Sequence, residues 1–171
     1  MDRYEGFREF VLARGPALSR TAYLLSGDHG VAEELVQEAL AKTAGHWRRV
    51  RDGNPEGYVR RVMVNLHTSW WRKLGRRERP YADITEVISG GRPDSAHATT
   101  DRLVLVTALA ALAPKQRAAI VLRFYEDLSE REIADAMGVT NGTVKRNIHD
   151  GLRRMRTLMP TLHDIELEAT A

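Results

Sequence analysis

Cysteine is absent from the 171 residues. That one gap excludes disulfides, zinc–cysteine sites and thiol nucleophiles together. Also missing is any run near the roughly 18 uninterrupted apolar residues that a membrane span needs, so membrane insertion is not expected. The opening from Met1 to Arg8 mixes acidic and basic residues and passes directly to Phe10 and Val11. With no basic cluster ahead of an apolar stretch, it does not read as a signal peptide, and residence in the cytoplasm is expected. There is no phosphate-cradling glycine loop, no His-Glu-x-x-His zinc motif and no nucleophile–base pair, and Gly90-Gly91 alone signals nothing. The six histidines (His29, His46, His67, His97, His149, His163) are scattered without paired metal-ligand spacing. No catalytic residue, metal or cofactor is therefore expected, and an enzyme is a weak reading.

What is present suits a helical protein of one or two small domains. Hydrophobic residues make up 43% and charged residues 29%, enough for real cores under a charged surface. The net charge is only +3 with a pI of about 9.4. Distribution therefore matters more than the total, because clustered cations act over about a Debye length.

Apolar periodicity predicts a helix over Arg3–Ala13, a break at Gly15-Pro16, and a second helix to about Leu25. Ser26-Gly27-Asp28 stops that helix and offers Asp28 as the cap of a third, from about Val31 to Trp47. Leu35, Ala39, Leu40 and Trp47 form its apolar stripe, and Glu33, Glu34, Gln37 and Glu38 point elsewhere. After a turn at Arg51–Asn54, Pro55 opens a fourth helix that buries Tyr58, Val59, Val62, Met63 and Leu66 and then becomes strongly basic. From Pro80 to about Thr100 periodicity vanishes, which reads as a flexible linker. Beyond it lie Leu103–Leu112 and Lys115–Tyr125, split at Pro114, then Ser129–Met137, a Gly138-Val139 turn, and a last helix over about Asn141–Leu158. The tail after Pro160 is expected to fray. No strand signal and no repeat is visible. The expected fold class is all-α: two small helical domains joined by the linker, over 1–79 and 102–160, with the linker at 80–101 and a tail at 161–171.

Residues 128–149 have helix-turn-helix grammar. Ser129 caps the first helix, and Glu132 completes a capping box. Ile133, Ala134 and Met137 face inward, Gly138 accepts the left-handed turn, Thr140 caps the second helix, and Val144, Ile148 and Leu152 lock it on the first. Asn141, Thr143, Lys145, Arg146, His149 and Arg153 are left as candidates for major-groove contact, because Arg and Lys donate to guanine and Asn pairs with adenine. A plain helical hairpin with solvated cations is the blander alternative. Asp150 is discordant: it would repel phosphate, could accept from cytosine, or could simply pair with Arg153 or Arg154.

In the amino-terminal half, Arg61, Asn65, Trp70, Trp71, Arg72, Lys73, Arg76 and Arg77 combine cations with rings, a mixture suited to single-stranded nucleic acid. Each tryptophan taken singly fits a core position somewhat better than base stacking. The acidic helix carrying Glu33, Glu34, Leu35, Gln37 and Glu38 makes sense as a protein-docking surface, against ordinary solvated glutamates.

Several motifs in order then resemble one family over nearly the whole chain. Gly27-Asp28, followed by Ala-Glu-Glu-Leu-Val-Gln-Glu-Ala-Leu and Trp47, looks like region two of the extracytoplasmic-function (ECF) sigma factors of the sigma-70 family. Tyr58-Val-Arg-Arg-Val-Met-Val-Asn-Leu and Trp-Trp-Arg-Lys continue that match, and Leu112-Ala-Pro-Lys-Gln-Arg through Leu128-Ser resembles the opening of region four. The resemblance implies an alternative sigma factor that directs promoter-specific initiation. Its acidic helix would dock on the clamp helices of core RNA polymerase. Asn65 and Arg61 would capture an unstacked base of the minus-ten element, and Arg72 to Arg77 would hold adjacent phosphates. Region four would rest on the polymerase flap and read the minus-thirty-five duplex. Many members of the family are held by an anti-sigma factor, so such a regulator is an expectation too. Asp150 and Asn147 stand where the family commonly has basic residues, which puts upstream-element preference in doubt. A helix-turn-helix repressor or activator acting without polymerase is the rival, and it leaves the acidic helix without a role.

Overall fold

The computed structural model describes residues 3–73 and 104–159, and these form helices and turns with no strand among them. The linker expected at 80–101, Arg76, Arg77 and the tail lie outside the described residues.

The first helix, α1, runs unbroken over Phe7–Ser26 with Pro16 inside it. This corrects the expected break at Gly15-Pro16. Proline removes one backbone donor, the one that would bond to the residue four positions earlier. That residue, Leu12, is 69% exposed, so water can serve its carbonyl. Gly27 ends the helix in the left-handed conformation (φ 72°) and returns its N–H to Tyr23 O. Asp28 caps α2 (His29–Val50) as the sequence predicts, its carboxylate accepting from Val31 N at 2.8 Å. Trp47, near the end of α2, anchors the start of α1: its indole N–H donates to Glu5 O at 2.7 Å, and Phe7 stands edge-on to its ring. Helix α3 spans Pro55–Lys73, with Val59, Met63 and His67 buried at four-residue spacing.

A short helix α4 covers residues 104–110. Helix α5 (Pro114–Ile120) follows and widens into a π-turn over Val121–Tyr125, where Glu126 N–H reaches Val121 O. Helices α6 (Glu130–Met137) and α7 (Asn141–Leu158) complete the chain.

The two helical groups, α1–α3 and α4–α7, do not stand apart. Helix α3 packs on α5 and α6, and α1 packs on α5 and the π-turn. The buried residues of both groups form one continuous cluster, from Leu18 and Met63 to Leu122 and Ile133. Arg117 sits at the junction, 3% exposed. Its guanidinium donates to Leu109 O, Ala110 O and Leu112 O, and across the junction to Leu25 O at 2.9 Å. Nearby His67 is 2% exposed, and burial, aided by the positive charge of Arg117, pushes its pKa down to about 4.

A lowered histidine pKa means that the unfolded chain takes the proton first as pH falls. The stability from neutral His67 is therefore complete above pH 6.5 and drains away as pH falls toward 4. The loss should reach about 2–3 kcal/mol at pH 4.5. Denaturant unfolding at pH 7 and pH 4.5 should show a steeper loss in the natural protein than in His67→Gln.

Candidate nucleic-acid interface

The helix-turn-helix closes as its sequence grammar predicts. Ser129 Oγ accepts from Glu132 N, and the Glu132 carboxylate accepts from Ser129 N at 2.8 Å and from the Ser129 hydroxyl at 2.7 Å. These bonds from the Ser129 hydroxyl, then from its backbone, hold the Glu132 carboxyl below its ordinary range, with a smaller contribution from Arg60. Gly138 makes the turn at φ 65°, and Thr140 Oγ1 caps α7 through Thr143 N at 3.3 Å. Ile133 and Val144 are fully buried, and Met137, Ile148 and Leu152 pack beside them. Gly151 is a feature the sequence reading missed. It lets α7 lie close on α5, because a Cβ there would meet Ile120 Cδ1 at 2.5 Å. Its signal was a glycine on the 144–148–155 apolar stripe.

With that stripe turned inward, Asn141, Lys145, Arg146, His149 and Arg153 are exposed on the opposite side of α7. Thr143 is half-buried and hydrogen-bonds to the Thr140 hydroxyl at 3.0 Å, which makes it part of the cap as much as of the surface. Asp150 pairs with Arg153 at 3.8 Å, the alternative the sequence left open. Asn147 turns back on its own helix, donating to Thr143 O at 2.9 Å. Lys145 lies 3.7 Å from Glu130, a weak and exposed pair that a phosphate could displace.

On α3, Arg61, Asn65 and Arg72 are exposed, and their spacings of four and seven place them on one stripe. Lys73 is exposed beside them. Trp70 continues the buried 59–63–67 stripe and packs half-buried against the core, so only part of its ring can face a base. Trp71 is half-buried as well. The structure thus brings Arg61, Asn65 and Arg72 together and keeps Trp70 mainly structural.

Glu33, Glu34 and Gln37 are exposed on α2, with Glu38 half-buried and paired to Lys42 at 3.6 Å. Leu35 is 0% exposed. This corrects its place in the expected docking surface: the side chain is spent on the core, and the outward face of α2 is polar.

Three links between the halves were not legible in the sequence. Glu126, just after the π-turn, meets Arg60 Nε of α3 at 2.7 Å and accepts from the Thr21 hydroxyl of α1. Arg20 donates to the Tyr125 hydroxyl at 3.1 Å. Arg117 makes the third link, through Leu25 O. Beside them a cleft of about 400 Å³ is lined by Arg49, Arg60 and Arg61 from one half and by Glu132 and Asp135 from the other.

Comparison with known proteins gives this geometry a setting. Residues 10–77 match the family described as Sigma-70 region 2, and residues 102–155 match Sigma-70, region 4. The RNA polymerase sigma-E factor of Streptomyces coelicolor is 40% identical over 88% of this chain and 84% of its own length. The ECF RNA polymerase sigma factor SigL of Mycobacterium tuberculosis is 31% identical over 85% of this chain and 84% of its own. Among solved structures, the Bartonella quintana sigma factor RpoE, crystallised with the anti-sigma factor NepR, is similar with a TM-score of 0.69 and 26% identity. That match covers 90% of this chain and 96% of the other.

The close seating of α7 on α5 has a direct test. Gly151→Leu overfills that contact and should cost about 1–3 kcal/mol in denaturant unfolding, and duplex binding should weaken as the helix-turn-helix loosens.

Proposed function

Because this chain belongs to the sigma-70 family, as an ECF sigma factor, we propose that it reads the minus-thirty-five duplex with α7 and opens the minus-ten element along α3. Sigma factors work with core RNA polymerase and promoter DNA, and initiation rather than catalysis is this family's role. The observation that carries the finer assignment is the arrangement of two separate basic faces, both exposed and both backed by the one continuous core.

The two faces suit different chemistry. Helix α7 presents Asn141, Lys145, Arg146 and His149 near its amino end, the part of a recognition helix that meets base edges in the major groove. Helix α3 presents a narrower stripe in which Asn65, with both a donor and an acceptor, stands between arginines that can hold phosphates. Drawing a base out of its stack costs a few kcal/mol, which contacts to the extruded base and its neighbouring phosphates must offset. Polymerase then supplies the bond-forming step. On this reading the chain acts in the cytoplasm and docks on the clamp helices through Glu33, Glu34, Gln37 and Glu38. Region four rests on the flap. An anti-sigma factor is a further expected partner, since the Bartonella relative was crystallised with one.

Run-off transcription with core polymerase and a promoter library tests the assignment. Added protein should yield promoter-specific transcripts. Glu34→Lys should abolish association with core while leaving duplex binding intact, the reverse of what a polymerase-independent repressor would show. Arg146→Ala should weaken duplex binding by about 1–3 kcal/mol if it reads a base, or reduce the salt slope by about one if it holds a phosphate. Asn65→Ala should leave duplex affinity unchanged and slow strand opening. No transcript and no complex with core would sink the proposal.

A further inference from the structure

We infer that Asp150 is a specificity-determining residue of the duplex-facing helix, a carboxylate that accepts the exocyclic amino group of a cytosine in the major groove. The inference rests on the duplex-reading role proposed for α7.

Successive residues of an α-helix turn by about 100° around its axis. Val144, Ile148, Gly151 and Met155 therefore share one stripe, and that stripe carries the inward side of α7. Arg146, Asp150 and Arg153 fall opposite it, within about 60° of one another. Lys145 and His149 fall on one flank, and Lys145 leans toward Glu130 of α6 at 3.7 Å. When a helix lies in the major groove, the line opposite its core points at the base edges, while flanking residues divide between bases and phosphates. Asp150 stands on the central line, one turn beyond Arg146.

The carboxylate is available to a base. Arg153 Nη2 lies 3.8 Å from its Oδ1, beyond hydrogen-bond length, and the carboxylate accepts no hydrogen bond from the described residues. With 37% of its side chain exposed, a base edge can reach it. Asn147, one turn back, is folded onto its own helix, donating to Thr143 O at 2.9 Å, and so does not compete for the same edge. Arg153 supplies what an acid needs in order to sit among phosphates. It is a cation within ion-pair distance that offsets the charge without consuming the lone pairs.

Base chemistry then selects the partner. An ionised carboxylate only accepts hydrogen bonds. In the major groove guanine offers the acceptors N7 and O6, and thymine offers O4, so both are repelled. Adenine sets its amino group beside the N7 acceptor. Cytosine alone presents an amino donor with no adjacent acceptor. Asp150 is thus costly at every site and compensated at cytosine, which discriminates by penalty as much as by attraction. Arg146, a donor only, prefers guanine by the same code. Four residues of α-helix rise about 6 Å, or about two base-pair steps at 3.4 Å. The preferred duplex should therefore carry a guanine contacted by Arg146 and, about two steps away, a cytosine contacted by Asp150.

Duplexes enriched by the full chain from a randomised pool reveal the preferred bases, and fluorescence anisotropy on single-position variants of the enriched duplex measures each preference. The natural protein should favour cytosine at one position and lose about tenfold in affinity when guanine replaces it. Asp150→Arg should reverse that preference to guanine at the same position and leave the guanine preference that depends on Arg146 intact. Asp150→Ala should abolish the cytosine preference, and it carries the test should Asp150→Arg lose helix by circular dichroism. Preferences left unchanged by both substitutions would overturn the inference, with Asp150 a surface ion pair only. Equal tightening of Asp150→Arg on every duplex, with a salt slope steeper by about one, would overturn it too, since the side chain then faces phosphate. If the natural protein enriches no sequence and Arg146→Ala is silent as well, the duplex-reading role of α7 falls and takes the inference with it. Enrichment that depends on Arg146 but not on Asp150 overturns the inference alone.

Discussion

The buried guanidinium of Arg117 is the constraint around which the rest of the molecule is arranged. A cation that is 3% exposed needs compensation, and backbone carbonyls supply part of it. The carbonyls of Leu25, Leu109 and Ala110 lie at the carboxy-terminal ends of α1 and α4, with Leu112 O just beyond, where helix dipoles concentrate negative potential. Two helix ends are thereby drawn to one point, and beside them burial, aided by the Arg117 charge, lowers the His67 pKa to about 4. The core can close around this centre only if α1, α3, α4 and α5 hold their mutual positions.

That arrangement leaves the outer surfaces free for binding. The apolar stripes of α3 and α7 both turn toward the shared core, so their basic stripes turn to solvent without further design. Duplex and opened strand make different demands. On the proposed reading the first needs a rigid helix tip, and α7 starts on a closed cap at Thr140. On the same proposal the second needs cations beside a polar reader, and Arg61, Asn65 and Arg72 are exposed in that order on α3.

Local features were the most legible in the sequence. Asp28, Ser129, Glu132, Gly138 and Thr140 each carry a short-range signal, and each occupies the cap or turn expected of it. The helical periodicities of α2, α3 and α7 were equally clear. Long-range features were not. Pro16 looked like a break because local propensity favours one, yet a proline inside a packed helix costs a single bond that solvent can replace. Leu35 looked like a docking residue through the family resemblance, although its own periodicity placed it on the apolar stripe with Ala39. The pairing of Glu126 with Arg60 and Thr21 spans most of the chain, and nothing in residue spacing announces such a contact.

The π-turn at Val121–Tyr125 places one more residue in the turn than an α-helix would. Each residue of an α-helix advances about 100° around the axis, so that surplus residue decides which way Tyr125 and Glu126 point. Removing one position there would swing both side chains about a quarter-turn away from α1 and α3, while α5 and the helix-turn-helix kept their own internal bonds. The coupling of the two halves is thus written in the length of one turn, and the loss of a single codon there would leave the exposed faces of α3 and α7 unchanged.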